Sequence, residues 1–149
     1  MNATLHAIDI ENIALGQGRP DTGQLVRMAS AYRRLVGIDP KDRVIVGCSP
    51  FIELSAQYAF PEARVVTRHG PDGADLALLE VLEGEIHNEW AAVWIGSGDW
   101  RFADIARRFG STNARVAAVS RPACISKTLR VAVQNRVKFI CGLRSEEPA

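Results

Sequence analysis

The stretch DRVIVGCSPFIELSAQYAFPEARVVTRH, residues 42–69, decides the fold. Its first part, DRVIVGCS (42–49), is a compact apolar run with no polar alternation, the pattern of a strand buried on both faces. FIELSAQYAF (51–60) reads as a short helix, with Pro50 near its start, where a missing N–H costs the helix nothing. ARVVTRH (63–69) is again a strand.

The same alternation continues in both directions. Upstream, TLHAIDI (4–10) is a strand and TGQLVRMASAYRRLV (22–36) an amphipathic helix, with Asp21 as N-cap and Gly37 as its stop. Downstream come a helix over 74–88, the strand AAVWIGS (91–97), the helix WRFADIARRFG (100–110) closed by Gly110, and the strand ARVAAVS (114–120). The helix SKTLRVAVQN (126–135) and a sixth strand, RVKFI (136–140), complete the pattern. Apart from a loop near residues 11–21, the connections are short. Repeated strand and helix predicts one α/β domain, residues 1–143, built as a three-layer α-β-α sandwich around a mostly parallel sheet of five or six strands. Residues 144–149 (RSEEPA) read as a frayed tail.

Bulk properties narrow the class. The chain has 149 residues, 47% hydrophobic and 23% charged, which is ordinary for a soluble domain with a real core. No apolar run reaches the roughly 20 residues that span a bilayer, and MNATLHAIDIEN lacks the basic-then-apolar pattern of a secretory leader. A cytoplasmic protein with no membrane partner is expected. Cys48, Cys124 and Cys141 form no CxxC pair, so they predict neither a disulfide framework nor a zinc site, and each reads as a small buried hydrophobe. The net charge of +1 conceals a split: residues 1–99 carry 8 basic and 14 acidic side chains, and residues 100–149 carry 10 and 3. Such a split marks either a polyanion-facing surface or a set of solvated helix faces.

In open parallel sheets, ligands bind beyond the carboxyl ends of the strands. The residues at those exits are therefore the candidates: Asp9 followed by Glu11 and Asn12; Ser49; Arg68 and His69, with Asp72 and Asp75 in the next loop and helix start; Ser97, Gly98 and Asp99; Ser120 and Arg121. If the first and fourth strands are neighbours, Asp9, Asp75 and Asp99 meet at one edge. A carboxylate inside the run LHAIDI is costly unless it is hydrogen-bonded or bound to a metal. Asp75 serves either as a first-turn helix acid or as a site residue, and Asp72 suits the capping role equally. Asp99 serves either as a cap or as a ligand, and the Gly98 before it suggests backbone brought close to a bound group. Three gathered acids repel one another, a conflict that Mg²⁺ or Mn²⁺ resolves because hard cations take oxygen ligands.

Other features read as structural. His6, His69 and His87 lack ligand spacing, with His69 best placed to touch a substrate. Trp90 and Trp94 suit packing, whereas Trp100, beside Asp99, suits either packing or stacking on a base. Gly16 and Gly18 lack the third glycine and the flanking strand and helix of a dinucleotide fingerprint.

The pieces AIDIEN (7–12), GADLALLEVL (73–82), and IGSGDWRF with ADIARRFG (95–110) together resemble the NYN branch of the PIN-like nucleases. The chain is most similar to small single-domain proteins of that type from actinobacteria, which share the wording around RHGPDGADLALLEVL and VSRPACISKTLR. The resemblance runs in order over nearly the whole chain. It implies strand order 3-2-1-4-5 and metal-dependent cleavage of RNA phosphodiester bonds. On that likeness Asp9 matches the first-strand acid, Asn12 the asparagine after it, Asp75 the acid opening the third helix, and Asp99 the acid after the fourth strand. One departure stands out: many NYN proteins read SGDxDF, and Arg101 occupies the second acidic position here, with Asp104 and Glu11 nearby but at non-matching positions.

The expectation is therefore a ribonuclease in which Asp9, Asp75 and Asp99 are catalytic and hold Mg²⁺ or Mn²⁺. Asn12 and Ser97 would orient the scissile phosphate or a metal-bound water, and Arg68, Arg101, Arg121 and Lys127 would carry the RNA backbone, aided by the helix start at Ser126. Apolar helix faces leave room for a homodimer. The alternative is a catalytically weak or inactive RNA-binding module that keeps the fold, for which Arg101 argues. A phosphoacceptor receiver ranks lower, because the third and fifth strands end in Arg68-His69 and Ser120-Arg121 rather than Asp and Lys.

Overall fold

The computed structural model describes residues 3–14 and 19–141. The Gly16/Gly18 pair and the 144–149 tail lie outside the described residues. Six strands, β1 (Thr4–Asp9), β2 (Arg43–Cys48), β3 (Arg64–Thr67), β4 (Ala92–Gly96), β5 (Arg115–Ser120) and β6 (Val137–Phe139), form one sheet in the order 3-2-1-4-5-6. Every pairing is parallel. β1 therefore lies between β2 and β4, the adjacency on which a shared carboxylate edge depends.

The helices are α1 (Ile10–Ala14), α2 (Thr22–Leu35), α3 (Glu53–Ala59), α4 (Gly73–Glu85), α5 (Ala103–Gly110) and α6 (Lys127–Ala132). Side chains of α1, α2 and α3 join Ile8, Val44 and Val46 in one core. Those of α4, α5 and α6 join Leu5, Ala7, Ile45 and Ile95 in the other. Two cores on opposite faces of one sheet make the three-layer sandwich. Each fully buried Leu, Ile or Phe contributes about 1.5–3 kcal/mol through the water it leaves.

Local chemistry sets the elements. Asp21 caps α2 as read: its carboxylate accepts from Gln24 N at 2.8 Å, and the Gln24 amide oxygen accepts from Asp21 N at 2.8 Å. Gly37, at φ 84°, ends it. The segment read as a loop after Asp9 instead begins with α1, whose Ile10, Ile13 and Ala14 are buried at helical spacing. The helix expected over 126–135 ends at Ala132, because Gln134 and Asn135 turn left-handed at φ 56° and 62°. Cys48 is buried as expected, but Cys124 and Cys141 are exposed. They lie in loop and strand-exit positions that no core face covers.

His6 is buried with its Nδ1 2.8 Å from Tyr32 Oη and its Nε2 3.0 Å from Asp42 Oδ2. This ties β1 to α2 and to the loop entering β2, the structural part expected of it. Among the described residues no helix is long and apolar enough to cross a membrane.

Candidate functional site

Alternation along β1 places Asp9 on the same face as Leu5 and Ala7, the face covered by α4. Asp9 pairs in register with Gly47 of β2. A methyl group at Gly47 would lie 2.5 Å from Leu78 Cγ and 2.9 Å from the Ala74 carbonyl oxygen, so the missing side chain is what lets α4 settle at this strand end. Gly73, the first residue of α4, sits against the Arg68 carbonyl in the same way. This close docking brings Asp75, in the first turn of α4, into hydrogen bonding with Asp9.

Asp99 arrives from the exit of β4. Its Oδ1 accepts from Arg101 N at 2.9 Å, capping the 3-10 turn Trp100–Phe102, while Oδ2 lies 3.2 Å from Arg101 Nη1. The residue is thus both a cap and a member of the cluster. Ser97, fully buried, donates from Oγ to Asp9 Oδ2 at 3.4 Å and accepts from Asp99 N at 3.1 Å. Ser97 therefore positions two acids from a fully buried place. Asn12 Oδ1 accepts from Gly98 N at 3.0 Å, locking α1 to the same exit and leaving the amide NH₂ as its donor half. Gly98 is close to chain rather than to an open ligand position: a methyl there would meet the Cys124 carbonyl and Ser120 Oγ.

Asp9, Glu11, Asn12, Arg68, Asp75 and Asp99 line an open cleft of about 370 Å³. Burial pushes the Asp9 carboxyl well above the usual carboxylate range, and the hydrogen bond and negative charge of Asp75 push it further, followed by the charges of Asp99 and Glu11. Burial also raises Asp75; its hydrogen bond with Asp9 lowers it, the hydrogen bond and charge of Asp99 raise it, and the Arg101 charge pulls it down. Glu11 Oε1 accepts from Ser49 N at 2.9 Å, joining the exits of β1 and β2.

Arg101 is the resident cation. Its Nη2 is 3.0 Å from Asp72 Oδ2, and its Nη1 is 3.6 Å from Asp75 Oδ2 and 3.2 Å from Asp99 Oδ2. Its guanidinium carbon also stands 5.2 Å from the centre of the Trp100 ring. Asp72 precedes α4 at φ 61° with no side-chain cap bond, so it serves Arg101 instead of the helix end. No group of three or more His, Cys, Asp or Glu among the described residues is disposed to hold a metal ion. The donor type gathered here, carboxylate oxygen, is the one hard cations take. Asp9, Asp75 and Asp99 offer hard oxygens, and the buried Asp9 has Ser97 Oγ, at a long 3.4 Å, as its donor outside the carboxylates among the described residues.

The remaining cationic candidates are more dispersed. Arg68 lines the cleft but bonds Glu80 at 2.7 Å. Arg121 follows β5 on the same sheet edge and is partly exposed, and Lys127 is exposed at the start of α6. The Ser126 end of α6 is not an open anion site, because Ser126 Oγ accepts from Leu129 N and Ser126 N donates to Gly98 O. Asp104 is exposed beside Arg108, remote in role from the cluster. Trp100 is 60% exposed, so it does not pack in the core, one of its two readings; Trp90 and Trp94 are partly buried against the cores. Gly47 was not read as site-forming, although a glycine inside a strand was the signal available, and Asp72 was read as a candidate or cap without its tie to Arg101.

The fold is α/β, with a cluster of carboxylates gathered at the strand exits. No family model and no curated protein matches the chain. Among solved structures it is similar to a protein of unknown function from Vibrio parahaemolyticus, at TM-score 0.65 and 15% identity, covering 95% of this chain and 94% of that one. That likeness extends to the fold.

Proposed function

We propose that this chain is a cytoplasmic, metal-dependent ribonuclease whose centre is Asp9, Asp75 and Asp99. The observation that carries the reading is the convergence of three acids from three separated segments on one strand edge, with Asp9 buried. Gathering a buried carboxylate with two others is costly, and a cleft where that cost is borne is a candidate site of chemistry. The resemblance of AIDIEN, GADLALLEVL and IGSGDWRF to NYN segments supports the same assignment.

The three carboxylates would hold Mg²⁺ or Mn²⁺, with Glu11 beside them. The chemistry such an ion supplies when bound is positive charge at the phosphoryl oxygens and a lowered pKa for water at the site. Ser97 holds Asp9 and Asp99 in their relative positions. Asn12 presents its amide donor to a phosphate oxygen, and Arg68 offers charge at the cleft mouth. Trp100, exposed beside the cluster, suits stacking on an unpaired base.

A second reading draws on one specific observation. Arg101 already bridges Asp72, Asp75 and Asp99, which favours an RNA-binding module with weak or absent catalysis. Labelled single-stranded RNA incubated with Mn²⁺, Mg²⁺ or EDTA, beside an Asp9→Asn/Asp99→Asn double variant, separates the two. Cleavage that requires metal and is lost in the double variant is expected. Binding that persists in EDTA, with no cleavage in either metal, would overturn the nuclease reading and favour the module.

A further inference from the structure

We infer that Arg101 is an exchangeable internal counter-ion: it holds the carboxylate cluster in the metal-free protein and must leave before a divalent cation can enter. The inference rests on the metal-dependent reading above and adds a regulatory step to it.

Three observations carry it. The guanidinium reaches Asp75 and Asp99 at 3.6 and 3.2 Å, so it and a cation compete for the same two carboxylates. Asp9, the most buried of the three acids, has no ion pair to Arg101 among the described residues, so the guanidinium covers the outer part of the cluster and leaves its inner member open to a cation. Finally, the contact is built to be released. The Arg101 side chain is 32% exposed, against 11% for Asp75 and 16% for Asp99, so the arginine can swing outward while the acids stay.

Release leaves the acids in place. Asp99 remains anchored by the backbone N–H of Arg101, which does not move with the side chain, and by Ser97 through its own N–H. The Trp100 ring already lies beside the guanidinium in the inward arrangement and is itself 60% exposed, so an arginine swung outward stays near the cleft mouth, where an RNA phosphate would sit. Loading with metal and freeing a phosphate-binding arginine are then one event. An apparent affinity falls by the fraction of molecules in the open arrangement. If Arg101 is inward in about nine molecules of ten, wild-type affinity for the ion is reduced about tenfold.

The test is Mn²⁺ binding to the full chain by titration calorimetry, with Arg101→Ala and Arg101→Met beside the wild type and Asp99→Asn as the negative control. Circular dichroism confirms that each variant folds, and the neutral, similarly long methionine separates lost charge from lost packing. Both Arg101 variants are expected to bind Mn²⁺ about tenfold more tightly than wild type. Equal or weaker binding by both, with measurable wild-type binding, overturns the counter-ion role while leaving the metal reading intact. Absence of Mn²⁺ binding in every folded protein overturns the metal reading and this inference with it.

Discussion

Gly47→Ala tests whether the docking of α4 builds the carboxylate edge. The added methyl would stand 2.5 Å from Leu78 Cγ and 2.9 Å from both Leu78 Cδ1 and the Ala74 carbonyl. Ordinary carbon contacts need about 3.5–4 Å, so relief requires a shift of roughly 1 Å. Leu78 is fully buried and the Ala74 carbonyl belongs to the helix backbone, so neither yields without moving α4. Overpacking of this kind costs about 1–3 kcal/mol. For a chain of this size that lowers the melting temperature by roughly 2–4 °C per kcal/mol, or about 2–12 °C in all. Gly84→Ala is the control: it lies in the same helix with nothing within 4 Å of the new methyl, and it should gain up to about 1 kcal/mol from helix propensity. Thermal unfolding by circular dichroism measures both. Because Asp75 rides on the shifted turn, Mn²⁺ binding should also weaken in Gly47→Ala and stay unchanged in Gly84→Ala. A Gly47→Ala melting temperature within about 1 °C of wild type would refute the claim that this glycine admits the helix.

Two further outcomes follow from buried titrating groups. The folded Asp9 pKa lies well above its unfolded value near 3.8, so the stability it contributes is full below that value and is lost as pH rises through the folded pKa. Asp9→Asn removes this loss, and the difference in unfolding free energy between variant and wild type should grow from acid to neutral pH in EDTA; a difference independent of pH would count against a proton held on Asp9. His6 is the reverse case: burial lowers its pKa below 6.5, so its stability contribution is present above pH 6.5 and is lost as pH falls toward the lowered value. Urea unfolding of wild type and His6→Gln at pH 5 and 8 should show the wild-type advantage shrinking at the lower pH, and an advantage that persists undiminished would refute a neutral buried imidazole.

Much of the fold is written along the chain. The unbroken apolar runs RVIVGC and RVAAVS, the cap at Asp21 and the stop at Gly37 are local signals, and each produced the element it implied. The short α1 was missed although Ile10, Ile13 and Ala14 carry helical spacing, because it follows β1 without any turn residue to mark a change of period. The overlong reading of α6 erred at Gln134 and Asn135, whose left-handed backbone is set by the turn into β6. Asp9 and Asp99 were legible as candidates because they sit at strand exits, whereas Asp75, in the first turn of α4, reaches them only through the docking of that helix. The contacts of Ser97 with Asp9 and of Asp72 with Arg101 were not legible, because they form across the fold.

The sequence by itself determined the strand-helix alternation, the parallel class of sheet and the placing of acids at strand exits, since hydrophobic period and capping act between residues a few positions apart. Tertiary structure decided which acids meet and what neutralises them. Gly47 admits α4 through a contact with residues far along the chain, and Arg101 chooses Asp72, Asp75 and Asp99 because Coulomb energy falls with distance in space, whatever the separation in sequence.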